Sequence, residues 1–491
     1  MKHERAEGSC KGLRRRGGLG LLAAALVMGT ATGAHNHEVR PPIPDSACRP
    51  SAPAGTSGPA GQVGTPAPDF DGDGHPDLAA EVPASNGDVS ETGRIALVYG
   101  SAHGPRPGHR TVFTPKDFRL PAHDGMSYGL SGPTVADLDG DGHLDLVAGG
   151  SAHVQWGGPD GPDPAHRPAR VRLPHVGKGE SAIDGKGHGV YGDQPVAGDF
   201  DGDGHADLAT FRTETDKRRL VVLHGPFTRT GEPARTSERA DPDPRGANAV
   251  VDLQLIAAEA TGDRATDLFV YEPAAPGTPL LLTGGADTAT GLGKEPERLP
   301  KGESIAVGDF DGDQWPDIAL GDSGIPDDEE LEPADRKGTV TIRYGKAPEA
   351  RVVIEGGARK GGFGIGLVAG DLNGDGCDDL AVHSAGDRWG DSGSVDILRG
   401  GSSPGLGSQP WRHVPRSRHV PDPDPLNSQH WTGSPVSAAD FDGDTRDELV
   451  LATAYQTNLG RDWWIIDGAG RDMASFDAAD LARHTAEEKS R

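Results

Sequence analysis

Between about residue 65 and residue 477 the apolar residues fall in short runs, broken by Gly, Pro and Asp clusters and with little helical periodicity. The runs recur in one order. An apolar strand leads into an Asp-Gly loop, as in LVAGDL before Asn373 or ESIAVGDF before Asp311, and a second strand leaves it. A third ends in Gly, over 94–100, 153–157, 220–225, 280–285, 339–345, 394–400 and 462–468. A weaker fourth follows, as at 110–114, 170–174 and 351–355. Four short strands per unit, joined by Gly and Pro turns, predict propeller blades. Units of this length exceed the usual solenoid repeat. The expected fold is all-β, a seven-bladed β-propeller over 65–477, whose closure hides most strand edges.

The loops repeat a chemistry as well as a shape. Four follow Asp-Xaa-Asp/Asn-Gly-Asp-Gly-Xaa-Xaa-Asp, starting at Asp69, Asp137, Asp199 and Asp371, and looser versions start at Glu259, Asp309 and Asp440. The starts are 68, 62, 60, 50, 62 and 69 residues apart. Oxygens at positions 1, 3, 5 and 9, with the carbonyl of position 7, suit a hard cation taking six to eight oxygen ligands. The expected ligands in the first loop are Asp69, Asp71, Asp73, the carbonyl of His75, and Asp77. The second offers Asp137, Asp139, Asp141, His143 and Asp145, and the third Asp199, Asp201, Asp203, His205 and Asp207. The loop at 309 offers Asp309, Asp311, Asp313, Trp315 and Asp317, and the loop at 371 offers Asp371, Asn373, Asp375, Cys377 and Asp379. The last offers Asp440, Asp442, Asp444, Arg446 and Glu448.

Calcium is the expected ion, because magnesium keeps its waters and takes few carboxylates. An EF-hand is excluded: position 12 is Ala80, Ala148 or Thr210 in the first three loops rather than Glu, and a strand follows rather than a helix. Asp-Gly clusters also serve as plain turns between strands. A turn, however, does not require acidic or amide side chains at four fixed positions together. The loop with Glu259, Thr261 and Arg264 is expected to be empty, with the Arg264 cation close to where an ion would sit. The rings of His75, His143 and His205 are expected to point to solvent.

Charge follows from these loops. Positions 1, 3, 5 and 9 carry 26 carboxylates over the seven copies, against a formal net charge of −27. Such crowding destabilises the compact state unless a cation relieves it. The acidity argues against nucleic acid, which needs Lys and Arg surfaces.

The first 34 residues read as an export signal: Lys11, Arg14, Arg15 and Arg16, then GLGLLAAALVMG, then the small residues Ala31, Gly33 and Ala34. Residues 35–64 read as a Pro/Gly-rich linker and 478–491 as a charged tail with some helical character. The mature chain is expected to be secreted, monomeric and without a membrane span. Whether Cys48 and Cys377 pair is open from spacing alone.

The unit Phe-Gly … Gly-Asp-Leu-Asn-Gly-Asp-Gly … Asp-Asp-Leu … Gly-Xaa-Val, clearest from Gly362 to Gly400, resembles the FG-GAP repeat of integrin α-subunit head domains and their bacterial relatives. The resemblance covers 65–477. It implies a seven-bladed β-propeller with calcium in the loops between the first and second strands of some blades. Most units lack the Phe-Gly and Gly-Ala-Pro signatures, having Tyr128-Gly129 or Glu81-Val82-Pro83 instead, and there is no Arg-Gly-Asp. Integrin-type adhesion is therefore only loosely implied.

The expected function is an exported, calcium-binding, non-catalytic binding or scaffold protein for an extracellular protein or glycan ligand. Its ligand face would lie opposite the calcium loops, on the insertions 83–93, 322–338 and 384–393, with Trp389 as an aromatic anchor. The alternative is a secreted propeller enzyme, a polysaccharide lyase or hydrolase. Gly-Asp-Ser-Gly at 321–324 and 390–393 resembles a serine-protease nucleophile motif, but no partner base accompanies it, so it reads as a turn.

Overall fold

The computed structural model describes Cys48 and residues 68–482, apart from 83–92, 121–129, 150–152, 173–193, 215–216, 244–252, 273–276, 286–288, 326–336, 358–360, 386–392, 403–404, 415–429 and 456–457. The export segment, most of the linker, the insertions around 83–93 and 322–338, the second Gly-Asp-Ser-Gly, Trp389 and the end of the tail thus lie outside the described residues or are described only in part.

Seven antiparallel sheets follow one another along the chain, each a meander in sequence order. Blade 1 has strands Leu78–Val82, Arg94–Val98 and Arg110–Phe113. Blade 2 has Ser131–Ala136, Asp145–Gly149, His153–Gln155 and Ala169–Arg170, and blade 3 has Val196–Gly198, Asp207–Glu214, Lys217–His224 and Arg235–Ala240. Blade 4 has Gln254–Ala258, Asp267–Tyr271, Leu280–Leu282 and Glu297–Arg298, and blade 5 has Ser304–Gly308, Asp317–Asp322, Thr339–Arg343 and Arg351–Glu355. Blade 6 has Gly366–Gly370, Asp379–Ser384, Ser394–Leu398 and Pro410–Val414. Blade 7 has His430–Ala439, Glu448–Tyr455, Asn458–Ile466 and Asp472–Asp477, followed by the short helix Ala478–Ala482. The stretch corresponding to a first strand in blade 1 precedes Pro68 and is not described.

Seven hydrophobic clusters lie between these sheets, and their membership closes the ring. Ile95 and Leu97 of blade 1 pack with Val135 and Leu146 of blade 2. The neighbouring Ala96 and Val98 face the other way, against Val450, Trp463 and Ile465 of blade 7. The remaining five clusters join blades 2 to 3, 3 to 4, 4 to 5, 5 to 6 and 6 to 7. Each sheet is therefore covered on both faces, so inner strands such as Arg94–Val98 and Leu280–Leu282 read as nearly unbroken apolar runs, while outer strands such as Arg235–Ala240 stay polar. The protein is a seven-bladed β-propeller. Blade 7 and blade 1 are further tied by the Arg110 Nε–H, which donates to the Leu481 carbonyl at 2.9 Å, while Leu481 itself is buried in the cluster between them.

The cysteines do pair. Cys48 and Cys377 form a disulfide with their Cα atoms 5.2 Å apart, and both are buried. Among the described residues no helix is long and apolar enough to cross a membrane.

Candidate metal-binding loops

The Asp-Gly loops of blades 2 to 7 connect a first strand to a second, and that of blade 1 leads into Leu78–Val82, so they share one rim. Each is anchored by an apolar residue at position 2. Phe70, Leu138, Phe200, Ala260, Phe310, Leu372 and Phe441 are all buried. Burying a large side chain here contributes on the order of 2 kcal/mol and points the following carboxylates outward.

The position-9 carboxylate is a bracket. Asp145 is fully buried; its Oδ2 accepts the Leu138 N–H at 2.9 Å and its Oδ1 the Gly157 N–H at 2.7 Å. Asp77 does the same for Phe70 and Gly100 at 2.6 and 2.7 Å. Asp207, Asp267 and Asp317 repeat the pattern. In blade 6 Asp379 accepts from Gly400 and from the Asn373 amide, and in blade 7 Glu448 accepts from Phe441. This explains why the third strand ends in Gly, since a Cβ on Gly100 would lie 2.9 Å from the His75 Cβ, with the Pro76 carbonyl closer still.

Positions 1 and 5 shape the backbone. Asp69 accepts the N–H groups of Asp73 and Gly74 at 3.2 and 2.9 Å, and Asp73 Oδ1 accepts the His75 N–H at 2.9 Å. The position-5 to position-7 bond recurs in every loop, including the one at 259, where Asp263 accepts from Ala265 at 3.0 Å. Positions 4 and 6 take positive φ throughout. Gly72 and Gly74 adopt it at little cost, but Arg264, Gln314 and Thr445 hold φ of 78°, 67° and 71° in the same place. The looser copies thus keep the fold of the strong ones against their own conformational preference.

Burial dominates the electrostatics. It pushes the Asp77, Asp145, Asp317 and Asp379 carboxyls up to about 7, that of Asp267 up to about 6 and that of Glu448 up to about 8, and neighbouring carboxylates add to the rise. Asp71, Asp139, Asp311 and Asp442 at position 3 are raised for the same reasons. Several oxygens therefore converge where ionisation is penalised unless a cation is near. The donor set fits a hard ion. Asp69, Asp71 and Asp77 bring oxygens within 4.8 Å of one another, as do Asp137, Asp139 and Asp145, and Asp199, Asp201 and Asp203. Asp139, only 7% exposed, has one oxygen (Oδ1) buried without a hydrogen-bond partner, as does Asp201. Calcium held there would be bound by these carboxylates and by the position-7 carbonyl, and would supply the missing charge.

Two loops satisfy themselves at position 3. The Asn373 amide donates to Asp379 at 2.7 Å, and the Thr261 hydroxyl donates to Asp267 at 3.4 Å. Glu259 caps Thr261 and Gly262 instead of positions 5 and 6. Arg264 is exposed.

Contrary to expectation, the rings of His75 and His205 do not simply point to solvent. With the position-7 side chains of blades 5 and 7 they lie over the position-4 glycine of the preceding blade's loop, whereas nothing lies within 4 Å of a Cβ on Gly72, the glycine that His143 would cover. His75 covers Gly443, His205 covers Gly140, Trp315 covers Gly262 and Arg446 covers Gly374, with a Cβ on Gly262 or Gly374 falling 2.7 Å from the covering side chain. Cys377 takes the same place over Gly312, which brings its disulfide against the loop at 309. Position 8 adds hydrogen bonds: Asp378, Asp447 and Thr266 accept the position-1 N–H of Asp309, Asp371 and Asp199. Packing between blades, which residue type alone does not reveal, decides where these side chains go.

Basic residues near four loops were not anticipated. Arg229 Nε lies 2.5 Å from Asp139 and its Nη2 pairs with Asp141. Arg235 pairs with Asp201 at 2.7 Å, Lys346 with Asp313 at 3.3 Å and Arg399 with Asp375 at 2.7 Å. The available signal was Lys346 and Arg399 flanking the glycine that ends a third strand, the one bonded to position 9.

Of the catalytic motifs, the first does not form a turn as a whole: Gly321 and Asp322 end the strand Asp317–Asp322, and Ser323 and Gly324 follow it outside the sheet. Ser323 is fully buried, its N–H donating to Glu303 and its Oγ accepting from Ile325. Trp156, Trp463 and Trp464 are packing residues, whereas Trp411 is exposed.

No family model and no curated protein matches the chain. Among solved structures it is similar to a lectin of Agrocybe aegerita, described for its recognition of non-reducing terminal N-acetylglucosamine, at 14% identity and a TM-score of 0.31 over 82% of this chain and 80% of that one. It is also similar to an apocarotenoid oxygenase of Synechocystis, at 12% identity and a TM-score of 0.37 over 86% and 91%. Likenesses this distant carry no argument about the site; the propeller rests on its own seven sheets.

Proposed function

We propose that the chain is an exported calcium-binding propeller of the FG-GAP kind, acting as a non-catalytic binding or scaffold protein for an extracellular protein or glycan. One observation carries the calcium reading. All seven loops adopt the same oxygen-lined turn, even where Arg264, Gln314 or Thr445 must take positive φ to do so, and Asp139 and Asp201 each bury an unpartnered carboxylate oxygen at its centre. A turn that only reversed the chain would not be held to this geometry at every blade. Calcium at these loops stabilises the ring and neutralises carboxylates that burial makes costly to ionise.

The meander puts the connections from second to third strands, and from fourth strands to the next blade, on the rim opposite the loops. The second strands of blades 1, 5 and 6 end on that rim and their third strands begin there, and loops on a rigid frame supply binding surface. The buried Ser323 supports the non-catalytic reading of that motif.

The metal test is a melting curve with calcium and with EDTA. An ion binding only the native state at a hundredfold excess over Kd contributes about 2.7 kcal/mol per site. An unchanged curve would remove calcium from the reading. A glycan array run beside a polysaccharide-cleavage screen tests the rest: binding without cleavage is the expected result, and turnover of a polymer would overturn the non-catalytic part.

A further inference from the structure

The residue before the third-strand glycine is Tyr99, Trp156, Thr283, Tyr344, Arg399 and Asp467 in six blades. In blade 3 it is His224, 2% exposed. Its Nδ1 lies 3.1 Å from Asp201 Oδ2 and 3.3 Å from Asp207 Oδ2, yet makes a well-formed hydrogen bond with neither. Its Nε2 is 2.9 Å from the Ser237 hydroxyl on the adjacent fourth strand. Asp201 keeps its Oδ1 buried and unpartnered, while Arg235 holds the Oδ2 from outside at 2.7 Å.

Two carboxylates and an imidazole nitrogen meet here in a buried place, with the second ring nitrogen fixed by a hydroxyl. A ligating histidine is normally oriented this way, through a hydrogen bond on its other nitrogen. The spacing agrees. With bonds of about 2.0–2.1 Å, two ligand atoms on a tetrahedral zinc ion stand about 3.3 Å apart. Imidazole nitrogen favours first-row transition ions, whereas calcium takes oxygen.

We propose that this loop is a mixed nitrogen–oxygen site, in which His224, Asp201 and Asp207 bind a divalent transition ion of the zinc class in preference to calcium. The proposal rests on the loops being metal sites. It sets blade 3 apart from the oxygen-only loops at 69 and 137.

Metal-stripped protein is titrated with Zn2+ by calorimetry in a large excess of calcium, and with Co2+ by its visible spectrum. The expected result is one tight Zn2+ per chain that calcium does not displace, and a Co2+ band of tetrahedral intensity. His224→Phe should abolish both, with the calcium-induced rise in Tm retained. Ser237→Ala, a milder change should the first variant fail to fold, should weaken Zn2+ about 10–100-fold, the usual effect of losing such a partner. Zinc affinity unchanged in Ser237→Ala and His224→Phe, or calcium displacing the tight zinc at equal concentration, would overturn the proposal. Calcium stabilisation without the tight zinc ion sinks this inference alone. Zinc binding that depends on His224, without calcium stabilisation, sinks the calcium reading alone.

Discussion

Asp77 and Asp71 sit six residues apart in one loop, and the structure gives them different work. Asp77 is 1% exposed and accepts two buried N–H groups, those of Phe70 and Gly100. Asp71 accepts one exposed N–H, that of Asp73, at 3.3 Å. Replacing Asp77 by Ala strands two donors, and each stranded buried group costs about 1–3 kcal/mol. The expected loss is about 2–6 kcal/mol whether or not metal is present. Asp71→Ala without metal should stay within about 0.5 kcal/mol, the range of ordinary surface changes. For a cooperative unit of this size roughly 1 °C of Tm accompanies each kcal/mol. Scanning calorimetry in EDTA should therefore separate the two variants by several degrees. In calcium both variants also lose the ion of this loop, so both fall further below wild type while the gap between them persists. Equal melting temperatures in EDTA would refute the bracket argument and leave position 9 as a ligand only.

Arg229→Met removes a guanidinium that competes with an ion at Asp139 and Asp141, so calcium affinity at that loop should rise, by up to about fivefold for an exposed pair worth about 0.2–1 kcal/mol; calorimetry against wild type checks this. Burial pushes the Glu303 carboxyl up to about 7, so the folded state holds its proton more tightly than the unfolded chain. Its contribution is complete below the ordinary value of 4.5 and is lost as pH rises through 7; Glu303→Gln, which keeps the acceptor for Ser323, should flatten the fall in Tm between pH 5 and pH 8. The Cys48–Cys377 bridge spans 329 residues, and reduction or Cys48→Ser should cost on the order of 2–5 kcal/mol, read as a lower urea midpoint.

The blade order was legible because it rests on local signals. An apolar run, an Asp-Gly turn and a Gly-terminated strand follow one another within a single unit, and the turn chemistry itself separates the strands. The loop pattern singles out the position-9 residue as an expected ligand but not as a bracket, since its second donor lies beyond another strand, as with Gly157 for Asp145. Arg229 is 90 residues beyond Asp139, and His224 meets Asp201 only once the third strand has folded back beside the loop. The disulfide was undecidable for the same reason, as nothing near Cys48 in the chain reports where Cys377 will be. Those contacts come from strands folding back within a blade and from packing between blades, which sequence spacing does not encode.

The side chains that lie over the neighbouring glycines, His75 on Gly443 among them, link the loops in one line that runs from blade 2 up to blade 7 and on to blade 1. The line does not close: among the described residues nothing lies within 4 Å of a Cβ on Gly72, where blade 1 meets blade 2. A linear array of repeats has terminal members that feel one neighbour, and these fray first. The strands form a ring, but the loops above them keep two ends. A change at the loop starting at Asp69 or at Asp137 would therefore be passed on in one direction only, and a change at any other loop in two.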